Sequence, residues 1–184
     1  MARLKPVDVD NLASLNQAQR RVYDAIKAGP RGQVRGPFPV LLNSPEACDC
    51  IQRLGGYLRY NAPVSGRVGE LIVLVTARFW DCHYEWSIHV QLARKEGISE
   101  ATIAEIRDGK RPASDPDAAL IHDVAHQLYE DYAIAPATYA AAITRLGEQG
   151  VLDMVIMIGY YAMLAQVFAA FEVLPVAGAE RLPA

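Results

Sequence analysis

Apolar residues recur along most of this chain at three- and four-residue spacing, the period of an amphipathic helix, and alternating strand-like stretches are few. Punctuation residues divide the pattern. Ser14 can cap a helix that runs to Ala28 and stops at Gly29-Pro30. Residues 31–43 form a connector rich in Gly and Pro, extended where X-Pro steps force it. Ser44-Pro45-Glu46 opens a helix to about Tyr60, with a cap, a proline in the first turn and an acid on the positive dipole end. A helix around Glu70 follows, then one from about Cys82 to Glu96 closed by Gly97. Residues 99–108 form another, ended by Gly109. Asp115-Pro116 opens a helix through about Tyr132, and Pro136 one through Leu146. A long apolar helix fills residues 151–173. The tail, residues 174–184, carries Pro175, Gly178 and Pro183 and reads as loosely held. The expectation is an all-α protein of about eight helices in one domain, residues 1–184.

Length and composition agree with a single full core: 184 residues, 52% hydrophobic and 21% charged. A net charge of -3 leaves no basic footprint for nucleic acid or an anionic membrane. The opening residues 1–8 are too polar for the apolar region of a secretory signal. Three cysteines, an odd number, then point to free thiols in a reducing cytoplasm. Residues 151–171 are long and apolar enough to raise the question of a membrane span. Asp153 and Gln166 interrupt them, and burial in a core or a subunit contact is the better reading. More apolar helix surface is present than a small monomer easily covers, so a homo-oligomer (trimer, hexamer or dimer) is expected.

The candidate chemistry sits in residues 70–89. Glu70 is the one acid of an apolar helix. Cys82, Glu85 and His89 fall at i, i+3 and i+7 of the next, on one face. A thiol, two carboxylates and an imidazole converging among apolar residues is a proton-handling set. Asp81 is a plausible cap for the second helix, which puts Cys82 in its first turn, where the dipole lowers a thiol pKa. Glu85, flanked by Tyr84 and Trp86, is partly desolvated on this reading and can orient His89. The competing reading is structural: a small buried cysteine and a buried salt bridge at Glu70. His122 and His126 form an i, i+4 pair of the kind zinc sites use, but with no further histidine or cysteine nearby in sequence they read as ordinary histidines. No metal is expected. Cys48-Asp-Cys50 reads as two free thiols, since strain disfavours bridging them.

The pattern Glu-x11-Cys-x2-Cys-x3-His marks the alkylhydroperoxidase D branch of the carboxymuconolactone decarboxylase-like proteins. Glu70, Cys82 and His89 hold three of its positions, and Glu85 stands where the second cysteine would be. The segments Gly36-Pro37-Phe38, Arg67-Val-Gly-Glu70, Tyr84-Glu85-Trp86-x2-His89 and the run from Gly150 to Tyr161 resemble that family over about residues 36–174. The resemblance implies an all-α fold, homo-oligomers with helical interfaces and no organic cofactor. Its peroxidase branch uses the paired cysteines with glutamate and histidine as a relay. Its decarboxylase branch acts on a muconolactone-type acid without a thiol pair. With Glu85 in place of the cysteine, a local disulfide cycle cannot close, and a sulfenic acid on Cys82 would need an outside thiol. The expected function is therefore a lyase-type acid–base reaction on a small carboxylated or lactone substrate. His89 is base or acid, Glu70 its orienter and Glu85 the second acid. Arg67 or Arg78 would hold the substrate carboxylate, with Tyr84 and Trp86 beside it. The alternatives are a one-thiol peroxidase built on Cys82, with peroxiredoxin-like antioxidant activity, and a non-catalytic oligomeric binding protein.

Overall fold

A computed structural model describes residues 3–175 and 177–183; Met1, Ala2, Val176 and Ala184 lie outside the described residues. The described residues form α-helices and one short 3-10 turn, Leu12–Ser14, with no strand among them. The helices are α1 (Gln17–Ala28), α2 (Phe38–Leu41), α3 (Pro45–Tyr60), α4 (Arg67–Phe79), α5 (His83–Lys95), α6 (Glu100–Arg107), α7 (Pro116–Glu130) and α8 (Pro136–Ala170). The all-α expectation holds.

Local chemistry sets most boundaries. Ser99 caps α6 by accepting from Thr102 N–H, and Asp115 caps α7 by accepting from Asp117 and Ala118. α8 is broken at Gly147, whose φ of 70° suits glycine, so its two halves meet where the sequence pattern separates them. Three local expectations are corrected. The cap of α1 is Asn16 rather than Ser14, through a reciprocal pair in which each of Asn16 and Gln19 accepts from the other's backbone N–H. The connector at 31–43 is not extended throughout: Pro37 and Pro39 fall where a first turn needs no N–H donor, and Phe38–Leu41 closes as a helix. The tail is docked, with Leu182 buried and the Glu180 carboxylate accepting from Arg94 on α5 at 2.8 Å.

Helix α4 is the centre of the molecule. Every residue from Leu71 to Ala77 is buried, which explains why this helix shows no polar face. α5, α7 and α8 surround it. The inner face of α8, including Met154, Met157, Ile158, Tyr161 and Phe168, completes the main core. A smaller apolar cluster ties α1 and α2 to α3 through Val22, Ile26, Phe38, Leu42 and Cys48. This arrangement brings the ends of α3 and α4 against the middle of α5.

Candidate functional site

Three helices each contribute charge to one buried spot. α4 places Glu70 in its first turn, and α5 places Glu85 in its first turn with His89 one turn on. Both acids sit at helix N-termini, where the dipole favours a carboxylate. His89 Nδ1 lies 2.6 Å from Glu70 Oε2, and His89 Nε2 lies 3.2 Å from Glu85 Oε2. Arg59, from the last turn of α3, reaches the same group: Nη1 is 3.3 Å from His89 Nε2 and Nη2 is 3.7 Å from Glu70 Oε1. Tyr161 of α8 packs its ring edge-on to the imidazole, with centroids 5.3 Å apart. His89 is 2% exposed and Glu85 4%.

The electrostatics follow from that geometry. Burial is the largest single influence on His89 and pulls its pKa down. The hydrogen bonds and charges of Glu70 and Glu85 together outweigh it, and the pKa is raised. Arg59 is likewise raised, with burial opposing and the Tyr161 and Glu70 side chains favouring its charge. Imidazolium, guanidinium and two carboxylates sum to zero. A second proton arrangement is available, with neutral imidazole keeping Nδ1–H on Glu70 while Nε2 accepts from Arg59 or from protonated Glu85. The cluster can thus pass one proton between Glu85 and His89 without moving a heavy atom.

Cys82 does not behave as the sequence suggests. Asp81 takes a left-handed φ of 48° and Cys82 itself becomes the N-cap residue of α5. Its thiol is buried, and burial pushes the pKa up to about 12 against the help of the Glu85 and Tyr84 backbone N–H groups. The Glu85 carboxylate pushes it further the same way. Burial, more than the Glu85 carboxylate, holds this thiol protonated. No disulfide joins the three cysteines.

The expected substrate arginines are committed elsewhere. Arg67 pairs with Asp115 and Asp117 at the start of α7, and Asp117 also holds Arg145 of α8. Arg78 donates from Nε to the Arg107 carbonyl at 2.9 Å, with Asp81 at 3.9 Å. Trp86 is wholly buried in the main core, and Tyr84 stacks on Phe168 with centroids 4.3 Å apart. His122 and His126 stack on one another at 4.0 Å beside Phe79. The sequence reading missed Arg59 and Tyr161, which lie 11 residues before Glu70 and 72 after His89. Nothing in their local spacing marks them. The only sequence cue was the lone arginine in the last turn of α3, a common dipole partner.

An apolar groove of about 300 Å3 runs between α3 and α8, lined by Ile51, Leu54, Ile156, Tyr160 and Met163 among others. Tyr160 is one of its lining residues and donates its hydroxyl to the Ile51 carbonyl at 3.2 Å. Burial raises the Tyr160 pKa to about 12, and the charges of Arg31, Glu85 and Arg59 all act on it. Tyr161, the next residue along α8, is the one that packs on His89.

Residues 45–122 match the Carboxymuconolactone decarboxylase family. Among solved structures, the chain is similar to the crystal structure of an alkylhydroperoxidase AhpD core, an uncharacterized peroxidase-related protein from Ralstonia eutropha JMP134. The two are 16% identical with a TM-score of 0.74, over 96% of this chain and 93% of that one. No curated protein matches the chain. At that identity the structural likeness carries the fold, while the family match spans Arg59, Glu70, Cys82, Glu85 and His89. The family match thus covers residues 45–122, the stretch that holds the charged cluster, and the chain as a whole has the alkylhydroperoxidase AhpD-type fold.

Proposed function

We propose that this protein is a cofactor-free acid–base enzyme acting on a small carboxylated or lactone substrate, of the decarboxylase kind. The observation that carries it is the His89 imidazole held at both nitrogens by carboxylates, with Arg59 against the same group. Glu70 fixes the ring and keeps the Nδ1 proton. Glu85 and His89 Nε2 exchange the working proton, which is taken from or delivered to a carbon next to a carbonyl. Arg59 stabilises negative charge as it develops near Nε2. Peroxidase chemistry is the second reading, favoured by the structural likeness to a peroxidase-related protein and by Cys82 beside the relay. A thiol held up near 12, with glutamate where a resolving cysteine would stand, weighs against it.

The decisive experiment is a panel of muconolactone-type and 3-oxo acids followed by carbon dioxide release and proton NMR, beside a hydroperoxide assay with dithiothreitol. Turnover in the first panel that His89→Gln abolishes and Cys82→Ala leaves intact supports the proposal. Turnover in the second panel that Cys82→Ala abolishes overturns it. We also propose a homo-oligomer in a reducing cytoplasm. Three free thiols support the compartment, and the exposed apolar residues Tyr57 and Leu152 support the assembly.

A further inference from the structure

Six arginines are half-buried among the described residues: Arg31, Arg59, Arg67, Arg78, Arg94 and Arg107. Five have a carboxylate within 4.0 Å, namely Glu70, Asp115, Asp81, Glu100 and Asp108 in that order. Arg31 has none among the described residues, and its Nε is buried without a hydrogen-bond partner. A buried donor left open is expensive, so it marks a place where a partner is missing.

The surroundings of Arg31 say what that partner is. Its guanidinium lies over the Phe38 ring at 4.9 Å, which fixes the plane of the fork. Its Nη2 approaches Gly55 of α3, where a Cβ would lie 2.7 Å from Nη2 and would overlap the Tyr160 hydroxyl. The missing side chain at 55 thus lets the Arg31 guanidinium come close to the hydroxyl of Tyr160, one of the residues that line the apolar groove. A planar fork with an open donor suits a carboxylate, and the Ile51, Leu54, Ile156 and Met163 walls suit a flat apolar body.

We propose that Arg31 binds the carboxylate of a small apolar acid whose body lies in the α3–α8 groove beside Tyr160. It thereby takes the substrate-holding place first assigned to Arg67 or Arg78. The inference rests on the acid–base reading only in naming this acid as a substrate. Binding itself is independent of turnover.

The test uses benzoate as the charged probe and benzamide as its neutral counterpart, titrated by calorimetry into the full chain. Wild type should bind benzoate more tightly than benzamide. Arg31→Gln should weaken benzoate by about tenfold or more, the loss of one charge-assisted contact, and leave benzamide unchanged. Arg31→Lys should fall between. In wild type, benzoate should slow phenylglyoxal modification of Arg31 but not of exposed Arg53, a readout that needs no variant to fold. Benzoate that fails to bind wild type at about 20 mM, binds Arg31→Gln equally, or leaves Arg31 unprotected overturns the site. His89→Gln should still bind benzoate. If no substrate is ever turned over but benzoate binding depends on Arg31, the anion site stands and the acid–base reading falls.

Discussion

Replacing Glu70 by glutamine removes one charge and almost no volume from the buried cluster. In the native protein its carboxylate accepts the His89 Nδ1 proton at 2.6 Å and faces Arg59 at 3.7 Å. A hydrogen bond to a charged group contributes about 1.5–3 kcal/mol net, and the glutamine oxygen retains the weaker, neutral part of it. Glu85 still faces Nε2, so the histidine is not orphaned. The expected loss is therefore about 2 kcal/mol, below the roughly 3–5 kcal/mol of a buried charge left wholly unpaired. The pH dependence gives the sharper signature. The folded pKa of His89 is raised above its unfolded value of about 6.5, so the stability this contributes is whole below about pH 6.5 and is lost as pH rises through the folded value. Glu70→Gln lowers that folded pKa. The gap between the two proteins should be widest near about pH 6 and narrow on the alkaline side. Urea denaturation at several pH values measures the gap, and the histidine carbon resonance measures the titration. A His89 that titrates below its ordinary value in wild type, or a stability gap that does not change with pH, refutes the reasoning.

Three further outcomes are expected. Iodoacetamide near pH 7.5 should modify exposed Cys50 quickly and leave Cys48 and Cys82, both raised to about 12 by burial, untouched in the native protein, as peptide mass spectrometry would show. Gly55→Ala should cost about 1–3 kcal/mol in thermal or urea unfolding, because its Cβ overlaps Tyr160 and crowds Arg31. Leu152→Glu, at a position 60% exposed on α8, should shift sedimentation toward a 20.2 kDa monomer if this exposed face of α8 joins copies of the chain; an unchanged distribution places the contact elsewhere.

The fold was legible where chemistry is local. Ser44-Pro45, Ser99, Asp115-Pro116 and Gly147 mark boundaries by caps, fixed φ and left-handed backbone, and the helices begin or break there. The Glu70, Glu85 and His89 cluster was legible because an i, i+4 pair and one acid in an apolar run carry their own pattern. Arg59 and Tyr161 were not, since helix packing alone brings α3 and α8 to that point. Arg67 and Arg78 misled for the same reason: their nearness in sequence says nothing of Asp115, Asp117 or the Arg107 carbonyl that take their guanidinium groups. Cys82 misled because a helix N-terminus lowers a thiol pKa only while water still reaches it, and here burial decides the sign.

The origin of the four charges in three separate helices has a consequence for how the protein opens. With His89 protonated, α5 brings no net charge to the cluster, α4 brings one negative charge and α3 one positive charge, from Arg59. Fraying the last turn of α3 would leave a net negative charge stranded in a dry interior, at a penalty of several kcal/mol. α1 meets α3 through an apolar cluster and through Arg21, an exposed side chain paired with Glu46 and Asp49, so its release strands no charge in a dry interior. The end of α3 is thus bound into the same cooperative unit as α4 and α5, and its backbone amides should exchange with solvent together with theirs, while those of α1 exchange sooner.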